Sequence, residues 1–300
     1  IESFLSRLVS SQSNTILLIN FSSRINFWFK NDSIMKKLIL TLFIILFTLA
    51  SNTVWSANYH KGLEAFSNGD YATALREWKP LAEQGDIYSQ YQLGYMFDEG
   101  LGVPQNYDSA IKWYTLSAKQ GDADSQNNLG LIYINIKNDY DKAFKWFKHA
   151  AEQGEPEAQT SFGYMYDNGF GVAKNPNTAV KWYRFAANQG NASGQYNLAA
   201  AYDFGEGVPQ DYKKAVKLYI QSAEQGNASA QYNLGLSYYY GEGVISDIVY
   251  AYMWINISAS NGNKKGSEAR KILENEMTSK DLSTSVNLAR ECVAKNYKGC

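Results

Sequence analysis

Two histidines, two cysteines, a Ser-x-x-Lys spacing at Ser33 and a set of repeated glycine loops are the features of this 300-residue chain whose residue types could carry chemistry. A nucleophile needs a base within hydrogen-bond reach, and a metal needs three or four converging ligands. His60 and His149 stand apart with no His-x-x-x-His pair, and His149 lies between Lys148 and Ala150, where a helix face meets water. Ser33 and Lys36 have the spacing used by acylating serine enzymes, but they straddle the start of an apolar leader and the match is accidental. Four Gly-x-Gly-Val loops begin at Gly100, Gly169, Gly205 and Gly241. They resemble phosphate cradles only superficially, because no Lys-Ser/Thr follows and four copies argue for a turn. Cys292 and Cys300, with no histidine nearby, are too few for a structural zinc site. In an exported protein such a pair suggests a disulfide that pins the last residues to the terminal helix, contributing roughly 2 to 3 kcal/mol. The alternative is two unpaired thiols on a frayed tail. No cofactor and no metal is expected.

The elements that position these residues are repeats. Gln-Gly recurs at Gln84-Gly85, Gln120-Gly121, Gln153-Gly154, Gln189-Gly190 and Gln225-Gly226, and Asn261-Gly262 continues the series, with glycine spacings of 36, 33, 36, 36 and 36. Before each glycine runs an apolar stripe at i, i+3, i+4 and i+8: Ala110, Trp113, Tyr114, Ala118; Ala143, Trp146, Phe147, Ala151; Ala179, Trp182, Tyr183, Ala187; Ala215, Leu218, Tyr219, Ala223; Ala251, Trp254, Ile255, Ala259. That is the period of an amphipathic helix, here helix B, ended by a glycine in left-handed conformation. Helix A carries the preceding Gln-x-x-Leu-Gly segment, whose glycine admits a neighbouring backbone or a Trp ring. Neither helix can hide its stripe alone, so stacked pairs share a continuous core, with Trp182 expected between two helix pairs. The fold expected is all-α, a right-handed α-α superhelix of antiparallel helix pairs.

The pattern Ala-x-x-x-Leu-Gly, Gly-x-Gly-Val, Ala-x-x-Trp, Ala-Ala-x-x-Gly resembles the Sel1-like repeat, a relative of the tetratricopeptide repeat. Five such units span 87–263. Residues 58–86 resemble a degenerate tetratricopeptide repeat that caps the array, with Pro80 expected to kink its second helix. Residues 264–300 are expected to form a C-terminal helical cap. Unit two has an A–B loop three residues short, Ile134 to Asp139, without either glycine, and unit four has Ala199 in place of the helix A glycine.

Residues 1–34 lack repeat character and are read as an upstream extension from a mis-set start, the alternative being an uncleaved anchor. Met35-Lys36-Lys37, the apolar run Leu38–Leu49 and Ala50 to Ala57 have the layout of a secretory signal peptide over 35–57, cut after Ala57, Ser56 or Ala50. The run is too short for a comfortable membrane span, so no stable span is expected after cleavage. Charge is balanced, 28 basic against 29 acidic residues, which argues against nucleic acid or anionic lipid as partner. The resemblance implies a protein–protein adaptor, here exported to a bacterial envelope or secreted, acting as a monomer on an unidentified protein or peptide. Its alternative is an envelope enzyme or binding protein acting on peptidoglycan or β-lactams. A eukaryotic secretory adaptor would use the sequons at Asn191, Asn227 and Asn256, which are better explained as repeat copies.

Binding is expected on the concave helix A face, at positions that differ between units. The position after the repeated Gln reads Tyr91, Asn127, Thr160, Tyr196 and Tyr232. The next turn reads Tyr95, Leu131, Tyr164, Ala200 and Leu236. The next reads Asp98, Asn135, Asp167, Asp203 and Tyr239. Candidate partner-binding residues are Tyr91, Tyr95, Asp98, Tyr164, Asp167, Tyr196, Asp203 and Tyr232. Tyrosine beside aspartate suits a partner with basic and apolar groups.

Overall fold

The computed structural model describes Thr41 and residues 58–300. The expected upstream extension, all but Thr41 of the expected leader, and the Ser33–Lys36 spacing lie outside the described residues. Helix α1 covers 58–67. It is followed by α2 (Tyr71–Glu83), α3 (Ile87–Glu99), α4 (Tyr107–Ala118), α5 (Ala123–Asn135), α6 (Tyr140–Glu152), α7 (Pro156–Asn168), α8 (Pro176–Asn188), α9 (Ala192–Phe204), α10 (Tyr212–Ala223), α11 (Ala228–Tyr240), α12 (Ile248–Ser260), α13 (Lys264–Glu276) and α14 (Ser279–Ala294). No strand occurs among the described residues. The chain forms two compact units, one up to Gln120 and one from Gly121 to Cys300. In the first, α2 packs on α3 and α3 on α4. In the second, each helix from α5 to α12 packs on the next, and α12 also carries α13 and α14. Connections this short between packed helices make neighbours antiparallel.

Helix starts are encoded by short polar side chains. The B helices are capped by Asn106, Asp139, Asn175, Asp211 and Asp247, and each side chain accepts a backbone N–H from the first turn. The A helices use Asp86, Asp122, Glu155, Asn191, Asn227 and, at α13, Asn263. Asn191 and Asn227 of the two repeated sequons are therefore caps, accepting from Gly194 N and Ala230 N.

The glycines answer to two different demands. Those of the Gln-Gly turns all have positive φ, and most have open space around them. The second glycine of each Gly-x-Gly-Val loop adds a close approach. At Gly171 a Cβ would lie 2.6 Å from the carbonyl oxygen of Tyr140, the first residue of the preceding B helix, and Gly207 and Gly243 press likewise on Pro176 and Tyr212. Most helix A glycines receive a ring, and it comes from the i+4 position of helix B rather than from a Trp at i+3, while Gly235 meets the aliphatic Ile255 and the Ala251 carbonyl, the neighbouring backbone that is the other expectation. Tyr114 lies on Gly94, Phe147 on Gly130 and Tyr183 on Gly163, and only in the α1–α2 pair is the ring a Trp, Trp78 on Gly62.

The stripe divides accordingly. Positions i and i+4 are buried in every unit, whereas Trp113, Trp146, Trp182 and Leu218 at i+3 are half-buried. Trp182 thus lies at the edge of the core, its ring 5.1 Å from Phe162 and 5.6 Å from Phe185. Trp254 differs because α14 closes over α12, and it is 2% exposed. Pro80 does not interrupt α2, which is unbroken over Tyr71–Glu83. The proline sits on the exposed side, where water can satisfy the carbonyl it frees.

In unit two the loop between α5 and α6 is 136–139, where the other units have seven residues, and α5 keeps the 13 residues of its sister helices. Asn138 supplies the left-handed residue at φ 52°. Asp139 N–H still bonds Tyr133 O at 2.9 Å, as Asn106 does to Phe97, Asn175 to Tyr166, Asp211 to Tyr202 and Asp247 to Tyr238. The three residues are lost from the loop alone.

Cys292 and Cys300 are joined by a disulfide with Cα atoms 5.5 Å apart. The closed loop lays Tyr297 Oη within 3.3 Å of Asn261 Oδ1 and lets Gly299 N–H donate to Glu224 Oε1 at 2.8 Å. The tail thereby docks on the turns of units four and five.

Candidate docking face

The repeated glutamines, the most conspicuous polar residues, are structural. Gln90 in α3 is buried and donates to Ala82 O at the end of α2, and its Oε1 accepts from Gln120 Nε2 at 2.8 Å. In the second unit the donors Gln153, Gln189, Gln225 and Asn261 reach Gln126, Gln159, Gln195 and Gln231 in the same way, at 2.7 to 2.9 Å. Each side chain satisfies groups that a helix end would otherwise leave unpaired in the core. His60 and His149 are both exposed, and their ring contacts among the described residues are with Tyr59 and Trp146.

The candidate tyrosines and aspartates lie on the A helices, but not as a uniform surface. In the unit up to Gln120, Tyr91 packs 5.9 Å from Tyr114 and Tyr95 packs 6.1 Å from Phe66, both half-buried. Asp98 accepts the Tyr114 hydroxyl at 3.4 Å. In the second unit Asp167 and Asp203 accept from Tyr183 at 3.4 Å and Tyr219 at 3.0 Å. Burial raises all three carboxyl groups above the ordinary aspartate range, and the tyrosine hydroxyl only partly offsets it. Tyr196 stands 6.1 Å from the Tyr219 ring, Tyr232 packs near Leu273 of the cap, and Tyr164 is 45% exposed.

One register assignment needs correction. The helix bounds place Ile134, not Asn135, at the aspartate position of unit two, because the three missing residues all come from the loop that follows. Ile134 packs with Phe147 where units one, three and four pair Asp with Tyr, so donor and acceptor are replaced together by two apolar groups. The consequence is a groove of about 200 Å³ lined by Leu131, Ile134, Phe147, Tyr164 and Asn197 among others.

A second groove, of about 280 Å³, lies between α9 and α11 with Asp203, Phe204, Tyr212, Leu236, Tyr240 and Glu242 in its lining. Phe204 and Tyr240 are absent from the candidates above. Both are the last residue of an A helix, a position that reads Glu99, Asn135, Asn168, Phe204, Tyr240 along the chain. Comparing that column between units would have singled them out.

Five consecutive stretches, 87–122, 123–155, 156–191, 192–227 and 228–263, match the model of the Sel1 repeat. The crystal structure of a Sel1 repeat protein from Oxalobacter formigenes is 34% identical, covers 71% of this chain and 86% of its own, and superposes with a TM-score of 0.65. The structure of c5321, a protective antigen of uropathogenic Escherichia coli with an SLR fold, is 28% identical over 81% of this chain and 70% of its own, with a TM-score of 0.44. A sel1-like repeat-containing protein of Acanthamoeba polyphaga mimivirus is 46% identical over 57 residues, which are 19% of this chain and 11% of the viral protein. The chain therefore matches only about a tenth of that relative's length.

Proposed function

The chain belongs to the Sel1 repeat family, a family of protein–protein interaction scaffolds rather than of enzymes, and on that premise we propose that it docks a protein or peptide on the helix A face of residues 121–300. The observation that carries this reading is the groove floored by Ile134 and Phe147. An array of identical repeats would hold a Tyr–Asp pair there, and this chain instead leaves an apolar hollow beside the exposed Tyr164 ring. An apolar pocket rimmed by polar side chains is where an anchoring residue of a partner contributes most. Direct packing of α7 on α9 adds to the case, since it sets successive A helices side by side under one ligand.

We also propose that the protein works after export, in a bacterial envelope or outside the cell. Two observations support this: the lysine-led apolar leader in the sequence, and the disulfide, which persists where thiols are not kept reduced. The balanced charge fits a protein partner better than a nucleic acid. No described helix is long and apolar enough to cross a membrane.

Site-specific photo-crosslinking tests the docking face. A photoreactive residue at Tyr164 should capture a discrete partner in the envelope fraction, and one at Lys181 or Lys217 on helix B should not. Tyr164→Ala with Asp203→Asn should weaken binding of that partner by more than about 1 kcal/mol while helical content stays at the wild-type level. Capture from the helix B positions alone would move the interface off helix A. Export is tested by fractionation with mass measurement of the mature N-terminus. An uncleaved cytoplasmic chain would refute it.

A further inference from the structure

The groove between α9 and α11 is not a copy of anything earlier in the array. Its equivalent one repeat back is built around Asp167, where burial and then Glu206 raise the carboxyl and Lys174 acts against them. The residue 36 positions on is Gln210. Its amide donates to Asp203 O at 2.7 Å and to Tyr212 Oη at 2.9 Å, which ties down the wall and brings no charge. Asp203 is half-buried and accepts the Tyr219 hydroxyl, which in turn accepts from Asn233 Nδ2 at 2.9 Å. That relay holds one carboxylate oxygen in place, and among the described residues no cation pairs with this carboxylate.

The walls changed in the same repeat. The three earlier A helices end in Glu99, Asn135 and Asn168, so the fold does not require a ring there, yet Phe204 and Tyr240 stand 68% and 64% exposed at the groove. Tyr212 replaces Pro176, and Leu236 replaces Ala200. Glu242, at the position of Glu206 one repeat back, puts a second carboxylate in the lining. Exposed rings around an unneutralised carboxylate are the arrangement that accepts a cation with an apolar stem, by charge, by hydrogen bonds and by ring face. Guanidinium suits it better than ammonium, being planar and more weakly hydrated.

We propose that the Asp203–Glu242 groove, walled by Phe204, Tyr212 and Tyr240, is a socket for an arginine side chain of the docked partner. This rests on the helix A face being the docking face, and it names the group that the C-terminal part of that face takes. The two readings are separated by a probe that needs no partner. The full chain is titrated with N-acetyl-arginine amide, and with N-acetyl-citrulline amide as the neutral isostere, while backbone and tyrosine resonances are followed by NMR.

Arginine amide should give saturable shifts centred on Tyr212, Asn233 and Tyr240, and citrulline amide should not. Asp203→Asn keeps an acceptor for Tyr219 and should weaken arginine binding at least about fivefold, close to 1 kcal/mol. Gln210→Lys should abolish it, because the groove then carries the lysine that its sister has. Asp167→Asn should change nothing. Absence of saturable shifts, equal binding of citrulline, or wild-type affinity in both Asp203→Asn and Gln210→Lys overturns the socket. Saturable arginine binding with those sensitivities upholds it, even if crosslinking places the partner's main footprint elsewhere.

Discussion

At the scale of the residue, the same side-chain type takes opposite roles according to what faces it. Gln231 is fully buried, donating to Ala223 O at 3.1 Å and accepting from Asn261, whereas Gln225 at the outer end of its own bridge is exposed. Gln231→Ala leaves the buried Ala223 carbonyl unpaired and a hole in the core, and should cost about 2 to 4 kcal/mol, against less than about 1 for Gln225→Ala, by urea denaturation. Equal costs would show that the glutamine bridge contributes nothing. Tryptophans divide the same way. Trp254→Ala should cost about 3 to 5 kcal/mol and Trp182→Ala clearly less, because Trp182 is only partly buried. A larger melting-temperature loss at Trp182 would contradict the edge position.

At the scale of the element, turns and caps decide where helices begin and end. Gly190 and Gly207 both have positive φ, but only at Gly207 would a Cβ run into the carbonyl of Pro176. Gly190→Ala should therefore cost about 1 kcal/mol, the conformational penalty alone, and Gly207→Ala should cost at least about twice that. Calorimetry giving equal losses would remove the close approach from the explanation. Glu155 is the exception among the caps, where every other A helix uses Asp or Asn. Burial first, and then a hydrogen bond shared with Glu157, push its carboxyl up to about 7, while Glu157 is held low by the same bond. A raised carboxyl pKa means that the folded state holds an extra proton between the unfolded value near 4.5 and about 7. Stability should thus fall as pH rises through that window. Glu155→Asn should flatten the slope and stabilise α7 at neutral pH, measured as melting temperature against pH. An unchanged slope would place the titration elsewhere.

At the scale of the whole molecule, each helix from α5 to α12 contacts the next, so stability accumulates along that run and its C-terminal end needs separate closure. At the C-terminus α13, α14 and the disulfide loop provide it, with Tyr297 and Gly299 reaching back to Asn261 and Glu224. Reduction, or Cys300→Ser, should free the tail and lower stability by roughly 2 to 3 kcal/mol, the loop-closure contribution. A melting curve indifferent to reductant would show that the tail is held by its packing alone. The expectation of a monomer belongs to this scale too, and sedimentation at several concentrations tests it.

The sequence by itself determined the helix pairs, their order and their turns, because these depend on local facts. A period of 36, a cap residue, a glycine at φ > 0 and an apolar stripe each act within a few residues of themselves. It also determined that unit two is three residues short, which the 33-residue spacing states outright. What only the tertiary structure decided was which side chains are surface. Asp98, Asp167 and Asp203 read as binding groups in sequence, yet each accepts a buried tyrosine hydroxyl, and the position of Ile134 opposite Phe147 depends on where the shortening falls. Phe204 and Tyr240 follow the helical pattern as ordinary aromatic residues, and their exposure exists only because two successive A helices stop beside one another. Local physics fixes the element, whereas burial is a property of the neighbours that happen to pack against it.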